Sequence, residues 1–340
     1  MPDSIAVIQP LPGIGDMIWH VPHIRAVAAH WGTAVTLIAR PHSAADQIFA
    51  GDNAVADVIW IDRHPERRRG ARDGAPDIGG LVRVLRERRF RRGVLLDHSQ
   101  TLAFVMAAAR IPERYGYGCG LQRLFLNRRP WLLKPHVKLH PHARATAWLR
   151  TAGIALADPE PRLAIPERVR EAVRRRLPAG KGPLIVLGIG SSEPSRQWGA
   201  ARFVELARGL ADLGWRRFVL VGGVAEAMLA EQIHTGIGER AEAGAAIAWT
   251  LSELAALCAE AAFYVGNDSG VMTLAAAAGV PAYGLFGAAP PMEPRARIVA
   301  IMPPGGVPDL RNGMRRITPS AVLEAIRNGE RHGVSPPWPR

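Results

Sequence analysis

At 340 residues the chain is long enough for two hydrophobic cores, and an apolar share of 48% excludes a disordered polypeptide. Two cysteines, Cys119 and Cys258, are too few for a disulfide framework and stand in no metal-ligand spacing, so both read as structural thiols in a reducing compartment. The formal charge of +13 points to anionic partners, and nearly all of it is arginine, with lysine only at 134, 138 and 181. Met1-Pro2-Asp3-Ser4 lacks the basic start of a secretory signal, and the most apolar stretch, around 274–291, is broken by glycine and proline. A soluble cytoplasmic protein is expected.

In chain order, Ile5–Gln9 reads as a short apolar strand, followed by Pro10-Leu11-Pro12-Gly13-Ile14-Gly15-Asp16 and a helix over about Met17–His30. Strands are predicted at Ala34–Ala39, Val58–Ile61 and Gly93–Asp97, with helical positions at Leu81, Val82 and Leu85 and a helix over Thr101–Ala109. The pattern weakens through Pro130–His142 and returns as a helix near Ala143–Ala152. Residues 158–166, with three prolines, form a linker, so the domains are expected at 1–165 and 166–340. After a helix over Glu167–Arg176 the second half repeats the alternation. Its predicted strands are Leu184–Gly188, Arg217–Val221, Ala245–Ala248, Phe263–Val265 and Ala282–Phe286. Helices over Ala200–Leu213, Ala225–Thr235, Leu251–Ala261 and Val271–Ala278 separate them, and Thr318-Pro319 opens a last one. Alternating strands and helices imply an α/β fold with two Rossmann-like parallel sheets.

Ligands of such sheets bind beyond the carboxyl ends of the strands, where three unusual loops fall. The first puts Asp16 just after a glycine turn at a helix start, either as a helix-end carboxylate or as a general base. The second, Gly188–Trp198, offers Ser191, Ser192 and Arg196 to a phosphate but lacks the Gly-Lys-Ser/Thr ending of a P-loop. The third, Asn267-Asp268-Ser269-Gly270, opens a small-residue helix. Asp268 or Ser269 can cap it, and Gly270 admits a ligand close to main-chain amides. Glu226, after Gly222-Gly223, can accept from a ribose diol, and Trp249, ahead of a Thr250–Glu253 capping box, can pack against a nucleobase. For both, a solvated helix-start acid and a core aromatic are the plainer readings. His20, His23, His136, His140 and His142 lack supporting carboxylates or cysteines in sequence, so no metal is expected.

Eleven arginines lie between Arg63 and Arg92, against four acids. The segment has a single aromatic, Phe90, and no zinc or helix-turn-helix signature accompanies it, so nucleic acid is not the expected partner. A phosphorylated glycolipid at the inner membrane face suits it better.

With these residues laid out, the chain resembles glycosyltransferase family 9, the ADP-heptose:lipopolysaccharide heptosyltransferases. The likeness is carried by Gly13–Pro22, Leu96-Asp97-His98-Ser99-Gln100, Arg114-Tyr115-Gly116-Tyr117, Pro161–Pro166, Gly190-Ser191-Ser192 with Arg196-Gln197-Trp198, and above all 266–287. It implies a GT-B architecture, two Rossmann-like domains facing across a cleft, with acceptor on the first and nucleotide sugar on the second. It also implies inverting, metal-independent transfer of a heptose or related sugar from an ADP-sugar, with no cofactor, to a lipopolysaccharide-type glycolipid. By position Asp16 matches the base. Ser191, Ser192, Arg196, Ser269 and Gly270 match diphosphate contacts, and Asp268 the donor-sugar carboxylate; Glu226 and Trp249 match nucleoside contacts. Arg196 stands where the family usually has lysine, and Thr273 where it typically has histidine. Alternatives are another nucleotide sugar or acceptor, and a nucleotide-sugar-binding homologue that no longer catalyses.

Overall fold

Short, almost wholly apolar runs become parallel strands here, because a strand covered on both faces needs no polar alternation. The computed structural model describes residues 4–61, 77–180, 182–291 and 296–331, and contacts divide the chain into units Met1–Ala164 and Ile165–Arg340. The first unit holds β1 (Ile5–Gln9), β2 (Val35–Ala39), β3 (Val55–Trp60), β4 (Arg92–Leu95) and β5 (Glu113–Gly116), in the order β3-β2-β1-β4-β5. Ile8 pairs with Ile38 on one side and Leu95 on the other, and these three meet Leu81, Leu85 and Phe90 in a core.

The second unit holds β6 (Leu184–Gly188), β7 (Arg217–Gly222), β8 (Glu242–Ile247), β9 (Ala261–Asn267), β10 (Ala282–Leu285) and β11 (Ile298–Ile301), in the order β11-β10-β9-β6-β7-β8. All neighbours in both sheets are parallel. Its core gathers Ile185, Leu187, Phe218, Phe263 and Tyr283 with the buried indoles of Trp198 and Trp215. Burying one large apolar side chain contributes about 1.5–3 kcal/mol.

Two strands were not legible in the sequence. β5 and β11 are the outermost strands on their sides, four residues each with only one buried; β5 (Glu-Arg-Tyr-Gly) carries no apolar run, and β11 (Ile-Val-Ala-Ile) is apolar but very short. The helix after β1 starts at Ile14, three residues ahead of the expected Met17, and ends on left-handed Gly32. The capping signals behave as read: Thr250 and Glu253 form a reciprocal box, and Thr318 Oγ1 accepts from Ala321 N at 3.2 Å. Of the arginine-rich segment, 62–76 lies outside the described residues. The remainder forms the helix Ile78–Arg88 and β4, where Arg88 pairs with Asp57 and Arg92 with Glu113.

In each unit the chain builds outward on one side of the first strand and then crosses to the other. The strand order therefore reverses between β1 and β4, and again between β6 and β9. Loops leaving such a pair diverge and open a recess at the carboxyl edge. In the second unit this junction is glycine-lined: a Cβ on Gly266 would strike the Gly188 backbone, and one on Gly188 would strike the Tyr264 phenol. Gly266→Ala should cost about 1–3 kcal/mol through overpacking, read as a lowered denaturation midpoint.

Candidate functional site

The recess between β6 and β9 is organised by Asn267, the fully buried last residue of β9. Its amide nitrogen donates to the Ile189 carbonyl (3.0 Å) and to Gln197 Oε1 (3.0 Å), while its Oδ1 accepts from Trp198 N (3.2 Å). One side chain thus ties the end of β9 to both ends of the 188–198 loop. Trp198 is anchored again through Nε1 to the Ile317 carbonyl at 2.9 Å. The sequence contained Asn267 inside its most informative turn, but nothing local distinguished it from a turn former.

Held this way, Arg196 meets Asp268 at 2.8 Å and Glu193 at 3.4 Å. Burial pushes the Asp268 carboxyl above its ordinary value; Arg196 opposes that rise and Glu193 adds to it. The cap expected from Asp268 or Ser269 is not made. Ser269 holds the N-cap position of the helix Gly270–Ala277 without a side-chain cap bond, and Asp268 turns to Arg196, a charge-assisted contact stronger than a neutral cap. Among the described residues, no side chain caps the first amides of that helix. Ser191 Oγ donates to the Glu193 carbonyl at 2.8 Å and accepts from Glu193 N at 3.2 Å. Ser192 is exposed beside it, and Thr273 is buried inside the helix.

The structure brings Ser191, Arg196, Asp268, Ser269 and Gly270 to one edge. Glu226 reaches toward them from the β7 loop: its Oε2 accepts from Gly223 N at 2.8 Å and packs near Gly190. Among the described residues, Trp249 makes no hydrogen bond or ring contact with this group. It follows the edge strand β8, with the Arg176 guanidinium 3.7 Å from its ring centroid, and Arg176 pairs in turn with Glu253.

The first unit repeats the arrangement between β1 and β4. Asp16 sits in the first turn of the helix Ile14–Trp31, its carboxyl turned back toward Gly13. Burial raises its pKa, while nearby His140 and the Gly13 amide lower it. His20, one turn on, gives its Nδ1 proton to the Asp16 carbonyl at 2.7 Å, because that oxygen can only accept; Gln9 lies 3.3 Å from the same nitrogen. Burial lowers the His20 pKa to about 4, so the ring is neutral at physiological pH.

Histidines far apart in sequence meet here, with ring centroids 5.4 Å apart for His20–His23, 5.5 Å for His23–His142 and 6.4 Å for His140–His142. Among the described residues no three His, Cys, Asp or Glu side chains are grouped to hold a metal. The loop after β4 adds His98, whose Nδ1 is 3.7 Å from Asp97 and 3.0 Å from Arg144. Arg144 was not anticipated, since it comes from the helix Pro141–Thr151, outside every motif.

Residues 78–300 match the model of glycosyltransferase family 9 (heptosyltransferase). The chain is 27% identical over 285 residues to lipopolysaccharide heptosyltransferase 2 of Escherichia coli (strain K12), covering 74% of this chain and 80% of that protein. Among solved structures it is similar to Escherichia coli ADP-heptose lps heptosyltransferase II, with a TM-score of 0.74 and 23% identity over 96% of this chain and 98% of the other. It is also similar to Escherichia coli heptosyltransferase WaaC with ADP-2-deoxy-2-fluoro heptose, with a TM-score of 0.70 and 18% identity over 96% and 99%. At these identities the structural likeness speaks to the fold: two α/β units of GT-B type.

Asn267→Asp keeps the shape but sets a carboxylate against the Ile189 and Gln197 oxygens. It should cost about 1–3 kcal/mol for each donor lost, read by chemical denaturation beside the unaltered chain.

Proposed function

The chain belongs to glycosyltransferase family 9, and from that premise we propose that it moves a heptose or related sugar from an ADP-sugar to a lipopolysaccharide-type glycolipid, with inversion and without a metal. The second unit takes the nucleotide sugar and the first takes the acceptor. The relatives' names supply the donor and acceptor classes. The observation that most supports the reading is the convergence of Arg196, Asp268, Ser191 and the uncapped start of the helix Gly270–Ala277 at the β6/β9 reversal.

In this reaction the acceptor hydroxyl gives its proton to Asp16 and its oxygen attacks the anomeric carbon. The bond from that carbon to the diphosphate breaks, and ADP leaves with the electron pair. Charge growing on the diphosphate is offset by the Arg196 guanidinium and the amides of Ser269 and Gly270 at the positive end of the helix. Asp268 orients the sugar, Ser191 and Ser192 flank the phosphates, Glu226 takes the ribose, and Trp249 lies on the base side. Arg196 is 31% exposed and Asp268 24%, so phosphate can reach both, although it must share Arg196 with carboxylates already there. The coarser conclusion, a glycosyltransferase, does not depend on these assignments.

Asp16→Ala should abolish transfer and leave ADP affinity within about twofold, since the assigned role lies in proton transfer; full turnover by the variant removes the base. Because burial raises the Asp16 pKa, kcat/KM in the unaltered enzyme should fall with acid at a pH above the ordinary carboxylate value of 3.8, as the base protonates. Arg196→Ala should weaken ADP binding about tenfold or more by calorimetry, the scale of a charge-assisted contact. Glu193→Gln should tighten it by about threefold, having freed an exposed pair.

A further inference from the structure

Two leucines on one short turn of the first unit are held out into water. In the 3-10 turn Gly120–Leu124, Leu121 and Leu124 are three residues apart, a spacing at which side chains stand on one face. They are 58% and 73% exposed. Phe104, on the adjoining helix Gln100–Ala108, is 49% exposed and has its ring against Phe125, with centroids 5.4 Å apart.

The turn is not slack. Gln122, fully buried between the two leucines, donates to the carbonyls of Asp97 (2.8 Å) and Ser99 (3.2 Å) and accepts from Cys119 N (3.0 Å). Apolar side chains fixed in the open by a buried, fully used amide mark an interaction face rather than a loose loop.

The charge around them is one-sided. From residue 98 to 139 there are seven arginines and lysines and one acid, Glu113, which is engaged by Arg92 and Tyr115 and lies 3.8 Å from Arg128. Arg123 and Arg129 both lie over the Trp131 ring, at 5.0 and 4.6 Å from its centroid, which gathers two cations beside the leucines. Arg128, Lys134 and Lys138 are exposed nearby in the chain. An anionic bilayer offers what such a face lacks: phosphates at the level of the cations and an acyl boundary for the leucines. Nucleic acid would favour exposed stacking aromatics over aliphatic tips.

We infer that this face seats on an anionic lipid bilayer, with Leu121 and Leu124 entering the headgroup–acyl boundary and the flanking cations against headgroup phosphates. The inference deepens the proposed function and rests on it for the lipid-linked acceptor. Its geometry is independent. The carbonyls that hold Gln122 belong to the loop leaving β4, so the leucine turn is bolted to the rim of the first unit's recess. A lipid-linked sugar would be presented at that rim. This face differs from the 63–92 arginine cluster suggested by composition.

The test is co-sedimentation of the full chain with phosphatidylglycerol/phosphatidylcholine vesicles and with phosphatidylcholine vesicles, at low and high salt. Binding should require phosphatidylglycerol and weaken with salt. Leu121→Ser combined with Leu124→Ser should lower vesicle partitioning about tenfold or more, and Arg128→Gln combined with Arg129→Gln about tenfold, each with an unaltered melting temperature. Unchanged partitioning in both pairs overturns the inference, as does loss of binding only when Arg67, Arg68 and Arg69 are replaced. Binding indifferent to lipid charge also overturns it, and so does a leucine pair whose effect is to dissociate a dimer in light scattering. ADP affinity measured on the same preparations judges the proposed nucleotide site separately, because that site lies in the other unit.

Discussion

Where a parallel sheet reverses its strand order, two loops diverge and their backbone groups lose the partners a neighbouring strand would supply. In the second unit Asn267 meets that need, engaging Ile189, Gln197 and Trp198 through both ends of its carboxamide. A buried amide with unmet partners costs about 1–3 kcal/mol per group, so the arrangement has little freedom to drift. The position of Arg196, immediately before the pinned Gln197-Trp198 pair, follows from it. So does the position of Asp268, the next residue along from Asn267. The junction is also bare of side chains at Gly188 and Gly266, which lets β6 and β9 close tightly beneath the recess.

Electrostatics then decides what this edge can receive. Arg196 is not a bare cation; it stands between Asp268 and Glu193, both of which a phosphate would resemble in charge. The Arg196–Glu193 pair is exposed and contributes about 1 kcal/mol or less, so a phosphate can displace Glu193 at little cost, while the half-buried Asp268 contact keeps the guanidinium ordered. The first unit handles charge in the opposite manner. Asp16 is partly withdrawn from water at a helix start, and the imidazole one turn below it is kept neutral by burial. A carboxylate with a raised pKa and a neighbour that adds no charge at neutral pH is well suited to accept a proton and later release it.

Much of this could be read along the chain, since it is local. Apolar runs of strand length, the Thr250–Glu253 box, the Thr318 cap and the polar loops after β1, β6 and β9 are each decided within a few residues, and the family motifs lie in those same loops. β5 escaped notice because an outermost strand that buries one residue carries no apolar signature, and β11 because four apolar residues are too short a run to stand out. The expected cap at Asp268 failed for a different reason. Its competitor, Arg196, is 72 positions away.

Contacts of that span divide the two kinds of knowledge. Order of elements, parallel pairing and the choice of loops are set by short-range propensity and hydrophobic periodicity, which any window of the chain displays. The partners of Asn267, the meeting of His23 with Thr146 across 123 residues, and the anchoring of Gln122 under two exposed leucines exist only once the sheets bring distant segments within hydrogen-bond reach. Directional bonds form or fail over a few tenths of an ångström, and no local pattern encodes that distance.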